Sequence, residues 1–228
     1  MRRLTKILIA LGVTVVVLVA LAFAGWYFFL KSDPAPRVAI KNTPVAGGGA
    51  LDGTYRVSPG DPQSLVGYRV QEQLVGGAIE QTTTGRTSDV TGSFNISGMT
   101  VQDVSVSADL RTLASDRSQR DSAIKDRGLE SNRFPEAKFV LSQPITFKSV
   151  PQAGETVNAT ATGDFALHGV TRQVSIPIEG RWDGRDIQVI GNFHVVFADY
   201  GITAPTSPVV ASIRDEGEME FQIFFRKA

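Results

Sequence analysis

The chain has 228 residues, 23 basic and 23 acidic side chains and no cysteine. A balanced charge with no basic stripe argues against a nucleic-acid partner. The missing thiols exclude cysteine nucleophiles, disulfide staples and Cys-ligated zinc or iron–sulfur centres, so an ordinary hydrophobic core has to hold the fold.

The first predicted element is a membrane anchor. No charge occurs from Ile7 to Leu30, a run of about 24 residues and enough to cross a bilayer core as a helix. Arg2, Arg3 and Lys6 precede it. Positive flanks stay in the cytoplasm, which puts the remainder on the extracytoplasmic side. A cleaved signal peptide is the competing reading, with Ala22-Phe23-Ala24 as a small-residue cleavage site. The length of the run favours a retained single-pass anchor, as do Trp26, Tyr27, Phe28 and Phe29 at its end. Residues 1–31 are thus read as flank and anchor in the cytoplasmic membrane. Without Arg2, Arg3, Lys6 and Lys31 the basic total of 23 drops to 19 against 23 acidic, a balance of −4 for the rest.

Residues 32–52 read as a flexible linker. Pro34, Pro36 and Pro44 stiffen it and Gly47-Gly48-Gly49 loosens its end. Fully extended, about 20 residues reach on the order of 70 Å.

Residues 53–228 read as one all-β domain, because apolar and polar side chains alternate along segment after segment. Val66, Tyr68 and Val70 oppose Arg69, Gln71 and Gln73. Val90, Phe94 and Ile96 oppose Thr91, Ser93 and Asn95, and Val104, Val106, Ala108 and Leu110 oppose Ser105, Ser107 and Asp109. Val157, Ala159, Ala161, Gly163, Phe165 and Leu167 share one face, and Val174, Ile176 and Ile178 another. Ile187, Val189, Phe193, Val195 and Phe197 follow, then Met219, Phe221, Ile223 and Phe225. So many one-sided strands need a shared apolar interior, either a closed antiparallel barrel of about eight strands or two stacked sheets. The one helical candidate is the polar stretch Asp116–Gly128. It is placed outside the barrel or across one mouth, its pairs Asp116–Arg120 and Asp121–Lys125 read as a solvated face.

Catalytic and metal signals are sparse. There are two histidines, His168 and His194. Both fall on polar parities and are expected to face solvent. No GxSxG or HExxH motif occurs. No catalytic residue and no metal ligand is assigned. The greasy parity mixes small with large side chains. That is either jigsaw packing or the wall of a tunnel, since small barrels do both.

Three motifs, in order, resemble the YceI-like family of lipocalin-like polyisoprenoid-binding proteins. Gly163–Val174 is similar to the family's G-x-L-x-x-x-G-V-T-R-x-V hairpin. Arg120-Asp121 followed by Phe134-Pro135-Glu136-Ala137-Lys138-Phe139 is similar to its R-D…(F/Y)-P-x-x-x-F segment. Asp199-Tyr200-Gly201-Ile202 is similar to its D-(F/W/Y)-G-I turn. Glu72 stands where many members carry a histidine. The resemblance implies a lipocalin-like barrel that holds an isoprenoid-like lipid, a polyisoprenoid or a quinone-like molecule, and performs no turnover. The lumen contacts it implies are Val66, Tyr68, Val70, Phe94, Val104, Val106, Val157, Ala159, Ala161, Phe165, Ile176, Phe193, Val195, Phe197, Phe221, Ile223 and Phe225. Glu72, Arg120 and Asp121 are the head-group candidates. An enzyme acting on a lipid-like substrate through Tyr68 and Glu72, a structural or interaction domain, and a homodimer are left as alternatives.

Overall fold

The structure is a computed structural model that describes residues 2–45, 49–60, 63–74, 80–206 and 210–228. Gly47 and Gly48, and the side chains of Arg2, Arg3, Phe28, Phe29 and Leu30, named above, lie outside the described residues. Helix α1 runs Arg2–Leu30. Its Thr5–Tyr27 portion is long and apolar enough to cross a membrane.

Residues Pro34–Ala228 form a separate compact unit. Its strands are β1 (Gly53–Val57), β2 (Leu65–Leu74), β3 (Glu80–Thr87), β4 (Val90–Ser97), β5 (Thr100–Asp109), β6 (Ala114–Ser115), β7 (Glu136–Leu141), β8 (Ile145–Thr146), β9 (Thr156–Leu167), β10 (Val170–Trp182), β11 (Asp186–Val196) and β12 (Val210–Lys227). Eight of them close an antiparallel barrel in the order β1-β4-β5-β7-β9-β10-β11-β12, with β12 pairing back to β1. Closure runs through short β1, where Tyr55 lies opposite Phe94 on one side and Lys227 on the other. Strand β12 is long enough to serve twice: its end pairs with β1, and its first part carries β2, β3 and β6 as a side branch. A closed ring with its own core meets the conditions for folding alone.

Local chemistry sets the registers. The β9–β10 hairpin turns on His168 and Gly169, at φ +53 and +77. Two left-handed residues make the tight turn whose twist matches the flanking strands. Asp103 is also left-handed, at φ +56, and the β4–β5 register shifts beside it. This bulge re-aims the strand, so Val101 and Val104, of opposite parity in sequence, both reach the interior.

Two core clusters fill the two ends. One gathers Tyr55, Phe94 and Phe225, with Tyr55 stacked on Phe94 at 5.2 Å and Phe94 edge-on to Phe225 at 4.7 Å. The other gathers Leu110, Phe165 and Tyr200, with Phe165 edge-on to Phe193 at 5.0 Å.

The stretch expected as a free linker is in part docked. Ala35 N donates to Thr84 Oγ1 at 2.9 Å, and Arg69 donates to Ala35 O at 2.8 Å. Lys41 N donates to Gln188 Oε1, and Gln188 Nε2 to Ala39 O. Arg181 donates to the Lys41 and Thr43 carbonyls and to Thr43 Oγ1. Residues 35–43 thus form a strap on the outer wall. Polar residues on the outward parity, Glu220, Gln188 and Arg181 among them, are buried in consequence.

The helical stretch is shorter than expected. Helix α2 spans Ser118–Ala123 and continues as a wide π turn over Ile124–Gly128. Its expected solvated face is corrected in part. Asp116 does pair with Arg120, but Arg120 also turns inward, and Asp121 accepts from Ser115 N and Oγ at 2.8 and 2.6 Å rather than meeting Lys125. The histidines divide. His194 is exposed and faces Glu216 at 3.1 Å. His168 is a correction: its side chain is only 12% exposed. The tight turn folds the ring against Phe134 at 4.5 Å and lets Nδ1 donate to Tyr200 O at 3.0 Å.

Candidate functional site

Among the described residues, two hollows lie inside the barrel. A large chamber of about 190 Å³ is bounded by β4, β5, β7 and β9 to β12. Val66, Phe94, Val104, Val106, Val157, Ala159, Ala161, Phe165, Ile176, Phe193, Phe221, Ile223 and Phe225 all line it. A small chamber of about 80 Å³ lies toward α2, and Tyr68, Val70, Val195 and Phe197 line it together with Val66. All seventeen lumen contacts named from the sequence therefore face one chamber or the other, whereas Val90 and Val174, on the same apolar parity, line neither.

The two readings of the mixed parity are each realised at different positions. Some aromatic rings lie on glycine: a side-chain carbon added at Gly163 meets Phe139 Cζ at 2.7 Å, and one at Gly191 meets Phe221 Cζ at 2.5 Å. There the wall is jigsaw-packed. Around Val157, Ala159 and Ala161 it stays open. Sequence parity missed Phe139, Ala137 and Leu141, because β7 carries too few alternations to stand out. Ile178, Val189 and Met219 were on the correct face and also line the large chamber.

The small chamber is capped by Leu113, Ile124 and Leu129, with Ile202 and Pro205 alongside. A polar cluster stands beside it. Arg120 donates to both carboxylate oxygens of Glu72, Nε to Oε1 at 2.8 Å and Nη2 to Oε2 at 3.0 Å. Gln81 Nε2 adds a donor to Oε2 at 3.3 Å. Glu72 is 1% exposed. Burial works against the Arg120 charge, but the hydrogen bond and charge of Glu72, helped by Asp116, outweigh it and hold that pKa above its ordinary value. Tyr68, two residues before Val70, lays its ring over Gly85. Its hydroxyl is buried without a hydrogen-bond partner. Burial pushes the Tyr68 phenol up, far beyond its ordinary range, so it stays neutral, its ring lining the small chamber and its hydroxyl over Gly85. Asp121 is absorbed in holding Ser115.

The sequence motifs meet at this same end. Arg172 reaches Asp199, Nε to the carbonyl at 2.7 Å and Nη2 to the carboxylate at 3.1 Å, while His168 holds Tyr200 and Phe134 packs on His168. Their role here is to fasten the β9–β10 hairpin to the turn after β11. Among the described residues, no three His, Cys, Asp or Glu side chains gather where they could hold a metal ion.

An eight-stranded closed barrel around an oily hollow is a lipocalin-like binding architecture. The YceI-like domain family matches residues 55–225, and the chain belongs to it. Among its relatives is a UPF0312 protein of Shewanella denitrificans, 30% identical over 139 residues, covering 57% of this chain and 69% of that protein. The fold is similar to a polyisoprenoid binding domain from Saccharophagus degradans implicated in plant cell wall breakdown, with a TM-score of 0.59 and 14% identity over 76% of this chain and 98% of that one. It is also similar to BcnA of Burkholderia cenocepacia, with a TM-score of 0.54 and 16% identity over 71% and 95% of the two chains.

Proposed function

We propose that the protein is a membrane-anchored, extracytoplasmic carrier or reservoir for an isoprenoid-like lipid, without turnover of its own. The observation that carries this reading is the large chamber, open and walled almost wholly by aliphatic and aromatic side chains. The polyisoprenoid-binding neighbour with the same fold supports the ligand class. The seventeen lumen positions named from the sequence contact the chain of the lipid.

Charge on the polar cluster narrows the head group. Glu72 and Arg120 neutralise each other, so a phosphate brought there meets a carboxylate as well as a guanidinium. Among the described residues the Tyr68 hydroxyl is, with Arg69 Nε and Thr83 Oγ1, a buried donor without a partner, and of the three side chains Tyr68 is the one that lines the small chamber. A neutral acceptor, such as a quinone carbonyl or an alcohol oxygen, suits it, and Glu72, Arg120 and Asp121 act as its frame.

Energetics favour carriage over permanent storage. Apolar burial from water yields about 25 cal/mol per Å², but a lipid leaving a bilayer was already out of water. The transfer is therefore close to balanced, and the barrel wins by shape and by the head-group contact. Residues 7–30 hold the chain in the cytoplasmic membrane, which raises the lipid concentration at the barrel.

Organic extraction of the purified protein followed by mass spectrometry tests the proposal. An isoprenoid recovered in near-stoichiometric amount is the expected result. Repeated recovery of no lipid, with the chambers inaccessible to added prenols, overturns it.

A further inference from the structure

The two chambers share only two lining residues, Val66 and Met219. Met219 sits in a cross-strand row, opposite Phe193 on β11 and opposite Tyr68 on β2. Phe193 lines the large chamber and Tyr68 the small one. Met219 and Val66 are therefore the two side chains that touch both hollows, within a layer in which Met219 and Phe193 also pack against Phe165, Leu110, Leu167 and Val195. Methionine is unbranched, with three rotatable bonds, and adapts its shape more readily than the rigid residues around it.

The wall of the small chamber is closely packed at an adjacent glycine. A side-chain carbon at Gly217, two residues before Met219 on the same face, meets Val70 Cγ1 at 2.9 Å and Phe197 Cε1 at 3.3 Å. The β2–β12 register also shifts between Ile213 and Gly217, an irregularity that re-aims the strand beside the partition. A hollow whose exposed surface is apolar throughout, with the Tyr68 ring in its wall, has the composition of a ligand compartment.

We infer that Met219 is a movable partition that sets which isoprenoid lengths the barrel accepts. This rests on the lipid-carrier reading above. A short prenyl chain fits the large chamber with Met219 in place. A chain long enough to fill the large chamber and reach Tyr68 displaces the Met219 side chain and joins the two hollows. Met219 is thus a specificity-determining residue for chain length, and Tyr68 touches only the long ligands.

The test uses the barrel unit, residues 34–228, with farnesol as the short probe and solanesol as the long one, each displacing a fluorescent prenyl reporter. Met219→Ala removes the partition and raises solanesol affinity about tenfold, while farnesol stays within about twofold. Met219→Phe fixes the partition and lowers solanesol affinity about tenfold or more, again sparing farnesol. Tyr68→Leu, which removes the ring from the small chamber's wall, changes solanesol affinity alone, and the Met219→Phe background abolishes that sensitivity. Circular dichroism confirms that each variant is folded. If both prenols respond alike to the Met219 variants, or neither responds while the wild type binds both, the partition is refuted and the carrier reading stands. If the wild type binds neither prenol, the carrier reading fails and the partition fails with it.

Discussion

Arg120 on the capping helix and Glu72 in β2 face each other through two hydrogen bonds, 48 residues apart in sequence, with Glu72 1% exposed and the Arg120 side chain 9% exposed. The pair ties the cap to the side branch of the barrel. A buried ion pair contributes modestly against its desolvation cost, but breaking one member strands the other. Arg120→Ala is therefore expected to cost about 3–5 kcal/mol, and the double variant Glu72→Met, Arg120→Met to cost much less. Urea unfolding of the four members of this cycle measures it. Equal losses in the single and double variants would show that the carboxylate is not stranded.

Alkaline pH gives a second handle. Burial raises the Tyr68 phenol, and Tyr55 and Tyr200 move the same way, each chiefly through burial. The folded state holds these protons more tightly than the unfolded chain. Their contribution to stability is complete below the unfolded tyrosine pKa of about 10 and declines as pH rises above it. Unfolding midpoints should be flat with respect to the tyrosines up to about pH 9 and fall beyond it. Tyr68→Phe should flatten part of that fall and, by deleting an unpartnered buried hydroxyl, cost little or nothing at neutral pH. A Tyr68→Phe variant with an unaltered alkaline slope would place the titration elsewhere.

The strap supplies a third prediction. Arg181 is 8% exposed and donates to Gly154 O, Lys41 O, Thr43 Oγ1 and Thr43 O. Arg181→Ala should cost about 1–3 kcal/mol, since four part-buried hydrogen bonds from one buried guanidinium are lost together. Lys41, whose backbone N is held by Gln188 Oε1, should become a trypsin site in the Arg181→Ala, Gln188→Ala variant and resist cleavage in the wild type. Equal cleavage in both proteins would mean that the strap is loose from the outset.

Much of the barrel is legible in the sequence, since period-two alternation survives wherever one strand face is oily. Strands β4 and β9 fall on two of those alternating segments. What parity does not carry is anything that breaks the period. The left-handed Asp103 reverses the face on which Val101 lies, and nothing in its neighbourhood announces it. The strap was hidden for a different reason. Glu220, Gln188 and Arg181 look like ordinary outward residues, and only the docked segment over them turns that polarity into burial. His168 was misplaced because a hairpin tip does not extrapolate a strand: the same turn that ends the alternation swings the ring back onto Phe134. The head-group end was half legible, because strand parity aligned Tyr68 with Glu72 but did not bring Arg120 across to them.

Two neighbouring inward positions on β9 should respond in opposite ways. Ala161 lines the large chamber and lies opposite Ile176 across the hairpin. The indole of Ala161→Trp projects into hollow space, so it displaces lipid more than it disturbs packing. Recovered isoprenoid should fall about tenfold or more, with a melting temperature lowered by only a few degrees, the equivalent of about 1 kcal/mol. Gly163, one turn of the alternation further on, has no such room. A side-chain carbon there meets Val140 O at 2.2 Å and Phe139 Cζ at 2.7 Å. Gly163→Ala should therefore destabilise by about 1–3 kcal/mol through overpacking while leaving lipid content per folded molecule close to that of the wild type. Mass spectrometry of extracts and thermal melts on the same preparations separate the two effects. Lipid content that survives Ala161→Trp would move the ligand out of the large chamber, and a Gly163→Ala barrel as stable as the wild type would show that the β7–β9 wall yields where its geometry says it cannot.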